Sequence, residues 1–207
     1  MQDTRFARLV VFVNGAVPLV LLAWDAAHNN LGANPVEFLT RTTGALALVF
    51  LVLSLAVTPL RKQLAQPWMV KLRRMLGLYS FVYASLHLMT YVWFDKSFSA
   101  SAVVKDTFKR PFITFGMAAF LILVPLAITS TNSMVKRLGG KRWNRLHRLV
   151  YLAGALAVIH YYALVKADTR EPIIFGVVIA LLLLYRPLSK YIPGLVRQPR
   201  PAQRPSR

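Results

Sequence analysis

The chain contains no cysteine, and only seven of its 207 residues are Asp or Glu. The missing thiols exclude disulfides, thiolate metal ligands and the C-x-x-C-H attachment of a covalent haem. No G-x-G-x-x-G and no G-x-x-x-x-G-K-[ST] occurs, so no recognisable nucleotide-binding loop is present. The acids are also absent from the centres of the apolar runs, which leaves no carboxylate relay through them.

Apolar sequence is what the chain has in abundance. Hydrophobic residues make up 56% of it and the mean hydropathy is +0.48, outside the soluble globular class. Runs of spanning or near-spanning length cover roughly 8–27, 43–60, 75–94, 111–129, 149–165 and 172–186, where about 20 residues cross a hydrocarbon core of ~30 Å. The expected fold is therefore all-α, an integral membrane bundle of six transmembrane helices over residues 1–186. A basic, Pro-rich tail over 187–207 reads as disordered. The first run lacks a short apolar core ending in a small-residue cleavage site and reads as an uncleaved anchor.

The charges orient this bundle. Placing the N-terminus, the 61–74 and 130–148 connections and the tail, counted from Arg186, on one side collects 19 of the 26 Lys and Arg there. Six of the seven acids fall on the other side, Asp3 being the exception. The positive-inside rule then puts both termini in the cytoplasm. The net charge of +19 does not point to nucleic acid, because the basic residues are interleaved with spans rather than gathered on a soluble face.

Two histidines lie inside apolar runs. His87 stands 13 residues beyond Arg74 and His160 stands 12 beyond Arg148, climbs of about 20 and 18 Å at 1.5 Å per residue. The third and fifth runs point the same way, so both imidazoles are expected in the outer half of the bilayer at nearly one level. A single membrane histidine is more often a packed, hydrogen-bonded residue than a ligand. Two matched in depth suit axial ligation of one b-type haem, whereas zinc wants three or four protein ligands that the spans do not supply. His147, at the mouth of the fifth run, sits about 140° around an ideal helix from His160. It is open to several readings: ligand of a second haem, partner of a haem carboxylate, part of another cofactor site, or a plain interfacial residue. His28, beside Asn29 and Asn30, reads as an interfacial residue. Lys71, Arg73 and Arg74, with Lys136, Arg137, Lys141, Arg142 and Arg145, form a basic cluster suited to haem propionates, a flavin phosphate or anionic lipid headgroups. They equally serve as plain topology signal.

The segments Arg73-Arg74-Met75-Leu76-Gly77-Leu78-Tyr79, Tyr83-Ala84-Ser85-Leu86-His87, Pro125-Leu126-Ala127-Ile128-Thr129-Ser130 and Trp143-Asn144-Arg145-Leu146-His147-Arg148-Leu149-Val150-Tyr151, with His160-Tyr161, resemble the MsrQ (formerly YedZ) family. These are the haem-binding membrane subunits of periplasmic methionine sulfoxide reductase systems, within the ferric-reductase-like transmembrane domains. The resemblance runs from Gly32 to about Tyr185. It implies His87, His160 and His147 as candidate metal ligands, heme b and FMN as cofactors, with Arg73 and Arg74 as cofactor-binding candidates, and a multi-pass location in the bacterial inner membrane. It further implies electrons drawn from the quinone pool or a cytosolic flavin reductase and delivered to a periplasmic molybdenum-containing catalytic subunit. Relatives in the wider group carry two histidines on the third helix; here Arg73 and Arg74 occupy the inner place. The residues themselves support a narrower expectation, an electron conduit with outside partners. A stand-alone reductase of ferric iron or another small acceptor, and a transporter or scaffold whose histidines only pack, are the alternatives.

Overall fold

The computed structural model describes residues 2–191, which form helices and, among these residues, no strand. The helices are α1 (Gln2–Ala27), α2 (Pro35–Leu64), α3 (Val70–Thr90), α4 (Ala100–Lys109), α5 (Pro111–Ile128), α6 (Asn132–Leu138), α7 (Gly140–Leu146), α8 (Val150–Leu164) and α9 (Arg170–Tyr191). Helical turns at Pro67–Met69 and Tyr91–Asp95 extend α3 at both ends, and another at His147–Leu149 leads into α8.

Five of these segments are long and apolar enough to cross a membrane: Thr4–Ala27, Pro35–Leu64, Pro67–Asp95, Pro111–Ile128 and Arg170–Ser189. The expected run at 149–165 appears as α8, only 15 residues long. Elsewhere the helices outrun the apolar runs. The 43–60 run begins at Pro35 instead, because Asn34 accepts the Glu37 N–H and donates to its carboxylate, a reciprocal cap that starts the helix before its apolar part. At the other end α9 continues past Pro187 to Tyr191, into the segment expected to be tail. Lys62 Nζ, donating to Ser189 Oγ at 2.9 Å, ties that end to α2. The rest of the tail, 192–207, lies outside the described residues. The connection at 95–110 is itself largely helical, with Ser99 capping α4 there.

The bundle is built from two antiparallel pairs. In the first, α2 and α3 approach closely through small residues: Ser80 Oγ donates to Ala47 O at 2.8 Å and Ser54 Oγ to Arg73 O at 3.1 Å. In the second, α5 lies against α8. Leu48 and Leu51 of α2, Leu123 of α5, Ala153 of α8 and Ile179 of α9 form the buried seam where the pairs meet. Tyr83 is 1% exposed, stacks on Phe50 at 5.3 Å and donates to Gly15 O at 2.8 Å, which fastens the otherwise peripheral α1. Most large apolar side chains of α1 between Phe6 and Trp24 face outward, as helices solvated by lipid require, while Leu22 is buried.

Candidate functional site

The seam brings the ends of α3 and α8 together, and with them His87 and His160. Their ring centroids are 6.0 Å apart and the ring planes meet at 75°. Each ring is held by a backbone carbonyl of the helix beside it: His87 Nδ1 lies 2.8 Å from Thr40 O, and His160 Nδ1 lies 2.6 Å from Phe112 O. A carbonyl only accepts, so both Nδ1 atoms carry the proton and both Nε2 atoms carry a lone pair. Neither Nε2 has a hydrogen-bond partner among the described residues, and because no fully buried side-chain nitrogen there lacks one, both Nε2 atoms are accessible. Two lone-pair acceptors cannot bond each other. They could receive a Lewis acid, and each ring is oriented by a backbone carbonyl as metal-binding imidazoles usually are.

Were one ion bound between the rings with metal–nitrogen bonds of about 2 Å on each side, their centroids would stand roughly 6 Å apart, close to the 6.0 Å spacing found. Among the described residues no group of three or more His, Cys, Asp or Glu that could hold a metal occurs.

His147 is not part of this pair. It lies at the opposite, basic end of the bundle, stacked on Trp143 with centroids 3.8 Å apart. Its Nε2 is 3.0 Å from Thr129 Oγ1, whose own proton goes to Pro125 O at 2.6 Å. The hydroxyl must therefore accept from His147, which leaves the lone pair on Nδ1. Burial and, secondly, the nearby Arg73 guanidinium push His147 down to about 4, so the ring is neutral near pH 7. No second histidine faces it among the described residues. His28 is exposed, stacked on Trp24 at 4.1 Å and bonded to Trp24 O at the end of α1.

Around His147 the basic end takes shape. Arg74 donates to Asn132 Oδ1 at 2.6 Å, while Arg73 lies within electrostatic reach of both His147 and Arg186. Sequence reasoning missed Arg186, which marked the last residue of an apolar run. In the structure it lies 4.4 Å from the centre of the Tyr151 ring and donates to Thr58 Oγ1. The described ion pairs (Glu37–Arg41, Lys96–Asp106, Arg110–Asp106 and Arg170–Asp168) involve none of these cations.

A helical bundle with paired imidazoles between apolar helices defines the ferric-reductase-like class of membrane proteins, and the family profile described as ferric reductase like transmembrane component matches residues 43–158. Among curated proteins, the chain is 52% identical to the "Protein-methionine-sulfoxide reductase heme-binding subunit MsrQ" of Herminiimonas arsenicoxydans, over 86% of this chain and 82% of the relative. Proteins of the same name from Ralstonia nicotianae (48% identity, 88% and 85% coverage) and Rhodospirillum rubrum (48%, 98% and 95%) are similarly alike. The chain belongs to the MsrQ family and is a multi-pass membrane protein. No solved structure matches it.

Proposed function

We propose that the chain is the haem b electron-transfer subunit of a methionine sulfoxide reductase system, with His87 and His160 as the axial ligands. The observation that carries this reading is the pair of Nδ1-tethered imidazoles with free Nε2 atoms, 6.0 Å apart between centroids. The names of the relatives, which specify a heme-binding subunit, support the same cofactor. A haem held there supplies a site that takes up and releases one electron at a time. The protein's part is to hold both imidazoles neutral, fix their tautomer and keep the site between apolar helices.

In this reading six helices span the bacterial inner membrane with both termini in the cytoplasm, α8 being the sixth. Electrons enter at the basic end, from the quinone pool or a flavin donor, and leave to a periplasmic molybdenum-containing catalytic subunit. Reducing one sulfoxide to thioether and water consumes two electrons and two protons, so the conduit is used twice per sulfoxide. Arg73 and Arg74, now joined by Arg186, are the anion-binding groups we assign to FMN or a haem propionate, and His147 is a neutral ligand candidate beside them. The same cations would rest against anionic lipid headgroups.

Purified protein should show a Soret band and, when reduced, the narrow α-band of six-coordinate low-spin haem. His87→Ala or His160→Ala should each lower the haem-to-protein ratio on the order of tenfold, while His28→Ala leaves it unchanged. Colourless wild-type protein from haem-replete cells, or equal bleaching by all three substitutions, sinks the assignment. Reoxidation of the reduced protein by the periplasmic subunit, but not by a ferric chelate, separates the conduit from a stand-alone ferric reductase.

A further inference from the structure

The two histidines are seated by one device used twice. His87 reaches back 47 residues to Thr40 O, and His160 reaches back 48 residues to Phe112 O. In each case the accepting carbonyl stands one helical turn before a glycine, Gly44 on α2 and Gly116 on α5. A methyl group added at Gly44 would come within 2.9 Å of His87 Nδ1 and 3.1 Å of its Cε1. At Gly116 it would come within 2.8 Å of His160 Nδ1 and 2.9 Å of Cε1. These contacts are too short for carbon, and the rings cannot simply retreat, because each is tethered to the same helix one turn away. Gly77 on α3 meets only Ser54 Oγ at 3.5 Å and Gly154 on α8 has nothing nearer than 3.8 Å, while Gly15 on α1 is pressed as tightly by the Tyr79 ring and Gly176 on α9 meets Val158 at 3.2 Å; Gly44 and Gly116 are the two described glycines against which a histidine ring is seated.

We propose that Gly44 and Gly116 are the positioning residues of two equivalent half-sites. Each lets helix backbone come against the Nδ1 edge of an imidazole, so that the carbonyl one turn earlier takes the Nδ1 proton and fixes the ring plane. The repeat of carbonyl, glycine and incoming histidine on α2–α3 and on α5–α8 makes the site pseudo-symmetric and sets the planes at 75° to each other. The inference rests on the haem reading above, but concerns how the rings are held rather than whether they bind.

The test uses the purified holoprotein. In the oxidised low-spin state the largest g value reports the angle between the axial ring planes, and the midpoint potential responds to the Nδ1 hydrogen bond. Gly44→Ala and Gly116→Ala should each move that g value, shift the potential and weaken haem affinity on the order of tenfold. Gly77→Ala and Gly140→Ala, where the added carbon meets ordinary contact or open space, should superimpose on wild type. Full occupancy with unmoved g values in both alanine variants overturns the proposal. A second measurement needs no variant: pulsed EPR of wild type carrying ¹⁵N-histidine should find a proton on each ligand Nδ1 that resists exchange in D2O. A missing or freely exchanging proton overturns it as well. Colourless wild type defeats the haem reading itself, whereas a coloured protein with indifferent glycines defeats only this inference.

Discussion

At the scale of single residues, no fully buried side-chain nitrogen or oxygen among the described residues lacks a hydrogen-bond partner, and Tyr83 shows how much one such bond matters. Its hydroxyl donates to Gly15 O at 2.8 Å from a side chain only 1% exposed. Tyr83→Phe keeps the stacking on Phe50 and removes only the bond to α1. Polar bonds between membrane helices contribute about 0.6 kcal/mol on average and up to about 1.7. A loss of about 1 kcal/mol in reversible unfolding in mixed micelles is therefore expected, with haem content unchanged; a loss of haem would show that α1 supports the histidine site. The same scale shows what was legible in the sequence. His87 and His160 stood out because an imidazole in an apolar run is costly without a partner. Their fixing partners did not, because a backbone carbonyl leaves no mark on residue type and glycine is common in membrane helices. Arg186 was hidden for a related reason: it closed an apolar run, and only the continuation of α9 to Tyr191 places it beside Tyr151 and Thr58.

Among the elements, the hydropathy pattern located the long helices and misjudged their ends. Apolar runs report the part of a helix that meets lipid, whereas a cap such as Asn34 or a tether such as Lys62 to Ser189 extends it into polar sequence. The pattern gave no sign of α4, whose position depends on an ion cluster. Asp106 accepts from Lys96 Nζ at 2.7 Å, Arg110 Nε at 3.0 Å and the Tyr91 hydroxyl at 2.8 Å. The Lys96 bond first, then the Tyr91 hydroxyl, hold the Asp106 carboxyl below its ordinary range. A carboxylate stabilised in the folded state binds its proton later than in the unfolded chain. Its contribution is therefore complete above about pH 4 and is lost as pH falls through the lowered value. Limited proteolysis at pH 7 should accordingly cut the 95–110 segment several-fold faster in Asp106→Asn than in wild type, and acidification below the ordinary carboxylate range should narrow that difference. Equal cutting at pH 7 would show that helix packing alone positions α4.

For the whole molecule, the decisive element is α8, because His160 shares a level with His87 only if α8 and α3 run in the same direction through the bilayer. Its 15 residues rise about 22 Å, and the preceding turn of three residues adds roughly 6 Å. That sum is close to the ~30 Å hydrocarbon thickness, within the mismatch that local thinning accommodates. The contacts agree with a parallel course: at one end Arg73 lies near His147, and at the other His87 faces His160. Because the chain has no cysteine, a single introduced thiol reports its side of the membrane without background. Asn144 and Ala167 are both exposed and flank α8. In intact spheroplasts, Ala167→Cys and Asn30→Cys should react with an impermeant maleimide, whereas Asn144→Cys should react only after permeabilisation. Labelling of Asn144→Cys and Ala167→Cys from one side would turn α8 back on itself. The odd number of crossings left would separate the termini and remove the basis for placing both basic ends in the cytoplasm.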